Sequence, residues 1–353
     1  MNKDEILQYL NNANVGNINL MEICGTHTHA IARAGIKSML PPNIKLLSGP
    51  GCPVCVTTEE TIDAYLDLSM KDNLIIATYG DMIRVPGSKM GDNLATRRSL
   101  GANVAVVYSP IDAIDIAVNN PDKEVVFLGV GFETTSPGTA ASIKVAKERN
   151  VKNYSVFSML KKVEPALRTL KSDPAFCVQG FIVPGHVAVI IGEEGFKYLE
   201  SDFHIPSVVA GFEPEDIWIS IFMLAKQIES SKYKLENSYG RVVNPEGNKL
   251  AIDMIDKYLE DRNDIWRGLG LIENSGLGIR DEYSDFDAEK KFNITIKPKS
   301  NKSICKCGEV IKGMLEPSLC PLFGTRCIPD DPVGPCMVSG EGACSAAYKY
   351  RGV

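Results

Sequence analysis

Eight short apolar runs limit the fold more than any other feature of this chain. They lie at 18–23, 44–48, 73–78, 103–108, 124–130, 154–158, 179–183 and 206–210. Most are rich in Val and Ile and lack the polar alternation of a sheet with one wet face. That is the pattern of parallel strands covered on both sides by helices. Helical periodicity fills the intervals, so the fold class is α/β. Helix starts are marked too. Thr57-x-x-Glu60 fits a capping box, and Ser109-Pro110 and Ser136-Pro137 each set an N-cap before a proline. Gly131-Phe132-Glu133 and Gly211-Phe212-Glu213 both close an apolar run before a helix with an early proline. This echo points to two similar parallel-sheet lobes around a cleft. Residues 1–16 read as an N-terminal amphipathic helix, 17–120 and 121–235 as the lobes, and 236–353 as a C-terminal domain.

Composition matters here for what it excludes. A net charge of -6, without a Lys/Arg stripe and interleaved aromatics, argues against a nucleic-acid partner. No apolar run approaches the ~18 residues of a membrane span, and Met1-Asn2-Lys3-Asp4-Glu5 is too polar for a signal peptide. The expected location is therefore the cytoplasm, where thiols stay reduced. Ten cysteines in that setting call for metal or redox chemistry. Cys177 stands alone among apolar neighbours and is expected in the core.

The other nine fall into three groups. Met21–Ala30 puts Cys24, His27 and His29 on one strand-to-helix turn, using two of the four histidines. Sulfur and imidazole together favour a late first-row metal, and a thiol at a helix N-terminus ionises more easily. A buried structural Cys with surface His is the alternative. Cys52 and Cys55 form a Cys-x-x-Cys at the next strand-to-helix turn, suited to dithiol–disulfide cycling; half of a zinc site and a structural role are the alternatives. In the tail, Cys305, Cys320, Cys327 and Cys344 are separated by 14, 6 and 16 residues on Pro- and Gly-rich chain. Four thiolates on irregular loops suit a [4Fe–4S] cluster. Cys307 and Cys336 are spare, either able to replace a neighbour, and a zinc site from four of the six is the alternative.

Ligands of parallel sheets gather at the carboxyl ends of the strands. That rule brings Cys24, Cys52, Cys55, Glu133, His186 (in Val183-Pro184-Gly185-His186) and Glu213 toward one cleft, with Asp81 and Arg84 on the same edge. Gly129-x-Gly131 is not a full dinucleotide fingerprint, so a nicotinamide cofactor is not supported.

Cys24-Gly25-Thr26-His27-Thr28-His29-Ala30, Gly49-Pro50-Gly51-Cys52-Pro53-Val54-Cys55, Gly131-Phe132-Glu133-Thr134-Thr135, Val183-Pro184-Gly185-His186 and the Cys-rich tail together resemble the HypD-type hydrogenase maturation proteins. The likeness spans nearly the whole chain, in order. It implies a role in assembling the Fe(CN)2CO unit of [NiFe]-hydrogenase with a HypC-type small chaperone and a HypE-type cyanide donor. Carried over by motif, Cys24 is an iron ligand with His186 nearby. Cys52 and Cys55 are the redox pair, and the tail holds a [4Fe–4S] cluster that feeds them electrons. His27 and His29 then position groups or move protons. Two readings from other classes stay open: an iron–sulfur thiol-disulfide reductase, and a zinc-stabilised α/β binding module.

Overall fold

The computed structural model describes residues 1–296 and 303–351. All eight expected strands are present, as β1 (Ile18–Glu22), β2 (Ile44–Ser48), β3 (Leu74–Thr78), β4 (Asn103–Val106), β5 (Glu124–Gly131), β6 (Tyr154–Lys161), β7 (Gly180–Pro184) and β8 (Ser207–Ala210). Three more follow: β9 (Leu235–Asn237), β10 (Leu259–Trp266) and β11 (Gly270–Ile279).

They form two sheets. One has the order β2-β1-β7-β8-β9 and is parallel throughout; the other has the order β10-β11-β6-β5-β3-β4. In the second, β6-β5-β3-β4 are parallel and the β10–β11 hairpin adds antiparallel strands to its edge. The chain thus starts in one sheet, leaves for the other after β2, returns at β7 and leaves again at β10. The sheets therefore divide the chain differently from the lobes read at 17–120 and 121–235. A buried apolar run shows that a strand is covered on both faces, but not which sheet it joins.

Side-chain alternation explains how the sheets pack. Met21 and Ile23 of β1 and its exit share one core with Val126, Leu128 and Val130 of β5. The opposite faces carry their own helices. Ile18 and Leu20 meet Ile6 and Leu10 of the helix Lys3–Asn12, while Val125 and Phe127 meet Ile114 and Ile143. The tail does not build a separate core. Its Cys307, Val310, Ile311, Cys336 and Ala343 belong to the core shared by both sheets. Among the described residues no helix is long and apolar enough to cross a membrane.

Two of the three helix starts lie one residue from their sequence signals. Ser109 caps its helix with Asp112 in a reciprocal box as expected. Thr58, not Thr57, caps Glu59–Ser69, accepting the Thr61 N–H, while Thr57 ends the preceding turn. Ser136 is one residue inside its helix, donating to Phe132 O. Cys177 is exposed rather than buried. It precedes β7 on a segment whose buried residue is the neighbouring Val178.

Candidate metal and redox site

β1 and β2 are adjacent and parallel, with Glu22 opposite Ser48. Their carboxyl ends therefore deliver the Cys24 and Cys52 turns side by side. The Gly25 N–H donates to Gly51 O at 3.1 Å, and the Gly49 N–H to Glu22 O at 2.8 Å. A Cβ on Gly51 would stand 2.2 Å from Cys24 N, so only glycine lets the second loop lie on the first. Cys52 and Cys55 are disulfide-bonded across a Cα separation of 5.2 Å. Cys52 Sγ caps the short helix Pro53–Val56 by accepting the Cys55 N–H at 3.1 Å.

Cys24 is the N-cap of the helix Gly25–Arg33 and is 8% exposed. The expected easy ionisation is overturned. Burial, then the charges of Glu341 and Glu22, push its thiol up to about 12, outweighing the helix-end N–H groups of His27 and Thr26. Glu22 is buried beneath it. Its Oε2 accepts the Cys24 N–H at 3.0 Å and its Oε1 the Thr28 hydroxyl, and burial raises its carboxyl to about 7. Glu341 comes from the tail and packs its Cβ against Gly25. Burial and then Asp81 raise it to about 7 as well. Asp81 in turn accepts the Gly340 N–H at 3.0 Å, and Arg84 donates to Asp330 O at 3.0 Å, so both dock the tail on the site.

The histidines take three different places. His27 is fully buried, donates from Nε2 to Gly211 O at 2.8 Å, and is held down to about 4 by burial. Phe212 lies between His27 and His186, with ring centroids 4.5 and 3.9 Å away. His186 is exposed at the head of the helix Gly185–Ile191. His29 lies near the Tyr350 ring of the tail, its Nε2 buried without a partner among the described residues.

The tail brings its thiols to the same place. Cys305 and Cys307 are neighbours, as are Cys336 and Cys344: the Cys307 N–H donates to Cys305 Sγ and the Cys344 N–H to Cys336 Sγ, both at 3.4 Å, and the Cys307 and Cys336 thiols interact with each other. Cys327 interacts electrostatically with Cys305 and Cys320. Cys307 Sγ donates to Cys55 O at 3.8 Å, and Ser339 Oγ lies 3.4 Å from Cys52 Sγ, so the tail touches the disulfide directly. Backbone N–H groups already point at sulfur, from Val333 to Cys327 and from Cys307 to Cys305, both at 3.4 Å. Among the described residues no three His, Cys, Asp or Glu side chains converge on a single-ion site. A four-iron cubane is wider than an ion and holds its thiolates further apart. The donor set of free, loop-borne thiols with N–H···S support fits such a cluster.

Residues 3–351 match the pattern of the family described as "Hydrogenase formation hypA family", under the heading HypD. The hydrogenase maturation factor HypD of Escherichia coli (strain K12) is 43% identical over 95% of this chain and 89% of its own length. That of Rhodobacter capsulatus is 42% identical over 95% and 90%. A putative hydrogenase expression/formation protein of Methanocaldococcus jannaschii is 41% identical over 96% and 93%. The chain belongs to the HypD family of hydrogenase maturation factors.

Within this HypD fold the Glu133 carboxylate is bonded to the head of the helix Val163–Ser172. Its Oε1 accepts the Val163 N–H at 2.9 Å, and its Oε2 is buried without a partner among the described residues. It borders a cavity of about 550 Å³ with Ile252, Ile255 and Leu277. Burial raises its carboxyl from 4.5 to about 7. The folded state therefore binds the proton more tightly, and the associated stability is full below pH 4.5 and lost as pH rises to about 7. Glu133→Gln should remove that loss, worth about 3 kcal/mol. Urea unfolding should show variant and wild type converging near pH 4.5 and the variant more stable at pH 8. A constant difference across that range would refute the assignment.

Glu22 and Glu341 are the site residues that sequence reasoning missed. An acidic residue ending an otherwise apolar strand was a usable signal for Glu22. Glu341 carried none, since only the tail's path brings it to Cys24.

Proposed function

We propose that this chain is the platform on which the Fe(CN)2CO unit of a [NiFe]-hydrogenase is built. Cys24 and a HypC-type small partner hold the iron between them, and a HypE-type partner brings cyanide as a thiocyanate. The observation that carries this reading is the meeting of three thiol groups: Cys24, the Cys52–Cys55 pair on the adjoining turn, and the tail thiols against Cys55.

The steps follow from those positions. Releasing cyanide from a thiocyanate breaks an S–C bond and takes two electrons. The reduced Cys52–Cys55 pair supplies both and closes to the disulfide found here. The carrier sulfur leaves as a thiol with one of the pair's protons, and cyanide passes to the iron. Glu22 and Glu341, with carboxyls near 7, accept the second proton and the one Cys24 sheds on binding iron. A [4Fe–4S] cluster on Cys305, Cys320, Cys327 and Cys344 supplies low-potential single electrons when bound. Cys307 and Cys336, between those thiols and Cys55, link the cluster to the pair. His27 fixes Phe212, and His186 on its far face is open to an incoming partner. Such reduced-thiol chemistry suits the cytoplasm.

Single Cys→Ser variants of the six tail cysteines, purified anaerobically, test the cluster. Wild type should be brown, with broad absorption near ~400 nm. The colour should be lost at Cys305, Cys320, Cys327 and Cys344 and kept at Cys307 and Cys336. A colourless wild type with stoichiometric zinc would overturn the proposal in favour of the zinc-stabilised module.

A further inference from the structure

The tip of the β10–β11 hairpin lies between the two redox groups proposed above. Arg267 N–H donates to Val56 O at 2.8 Å and its Nε to Thr57 O at 3.0 Å, gripping the end of the turn that carries Cys52 and Cys55. Its Nη1 donates to Glu59 Oε1 at 3.1 Å. That same oxygen accepts the Ser303 hydroxyl, and Ser303 Oγ accepts the Cys305 N–H at 3.2 Å. One arginine is therefore tied to both the dithiol turn and the start of the tail cysteines.

The next residue locks the contact. Gly268, at φ +80°, packs directly on Gly308, which follows Cys307; a Cβ on Gly268 would stand 2.5 Å from the Gly308 Cα. Two glycines back to back bring the hairpin tip as near the Cys305–Cys307 backbone as a chain can come. The last guanidinium nitrogen, Nη2, is buried without a hydrogen-bond partner among the described residues. Leaving a buried donor unpaired is unfavourable, and here the donor's charge acts on the Cys305 and Cys307 thiols. Glu59, paired with Nη1, is the opposing charge.

We propose that Arg267 is a positioning residue that sets the potential of the tail's electron carrier, holding positive charge beside Cys305 and Cys307 while fastening them to the Cys52–Cys55 turn. This rests on the reading of the tail as a cluster site. Positive charge stabilises the reduced, more negative state, so removing it makes reduction harder.

The test is a potentiometric titration of the anaerobically purified full chain, followed by the paramagnetic signal of the reduced cluster. Arg267→Gln should disfavour reduction about tenfold, a downward shift of ~59 mV for one electron. Arg267→Lys, which keeps the charge and loses the fork of hydrogen bonds, should restore most of it. Glu59→Gln should move the potential upward, and it carries the test if Arg267→Gln does not fold. Equal potentials in the Gln and Lys variants, or no rise in Glu59→Gln, would overturn the proposal while leaving the cluster reading intact. A wild type without a cluster signal would overturn both.

Discussion

Cys52→Ala is expected to stop maturation while leaving the chain folded. Cys52 loses three things at once: the bond to Cys55, the cap on the helix Pro53–Val56 and the contact with Ser339. The structural part of this is small. A lost N-cap costs about 1 kcal/mol, and the surrounding turn is still held by Gly51 on Cys24 and by Arg267 on Val56 and Thr57. The chemical part is complete, because Cys55 alone cannot donate two electrons and close a disulfide. Hydrogenase activity in cells that depend on this chain should fall to background. Far-ultraviolet circular dichroism and absorption near ~400 nm should stay at wild-type values. Unchanged maturation would remove the redox role of the pair.

The parts of this fold that were legible are those that physics writes locally. β1, β3 and β5 to β8 were visible because each is buried on nearly its whole length, and double burial needs an uninterrupted apolar run, while the edge strands β2 and β4 keep enough apolar residues to show the same signal. β10 and β11 were hidden because much of each strand is exposed and carries polar residues, β10 at the sheet edge and β11 beside it. β10 carries Asp261, Arg262 and Asp264, and there the Lys161–Asp264 pair at 2.7 Å is satisfied in the fold but reads as surface charge in the sequence. β9 has only three residues.

The same distinction runs through the site. Cys24, Cys52 and Cys55 were found because strand-to-helix turns with glycine and sulfur are local patterns, and β1–β2 pairing places them together. Glu133 was expected in their company, since it also ends a parallel strand. Its side chain turns to the start of the helix Val163–Ser172, which has an N–H to offer. Glu341 and Arg267 reach the thiols only through the tail and the hairpin, and no spacing within either segment announces that.

Cys24→Ala has the largest expected effect on the product. The thiol is buried under Glu341 and over Glu22, with its backbone fixed by Gly51 and Glu22. Trimming it leaves those backbone contacts in place and costs about 1 kcal/mol. It also removes the sulfur proposed as the iron ligand, and neither neighbouring histidine stands in for it: His27 is bonded to Gly211 O and His29 lies near the Tyr350 ring.

Infrared spectroscopy of the anaerobically isolated complex with the HypC-type partner tests this most directly. With the wild-type chain, CN and CO stretching bands should be present. With Cys24→Ala they should be absent, while absorption near ~400 nm from the tail persists. CN and CO bands of wild-type intensity in the Cys24→Ala complex would contradict the account.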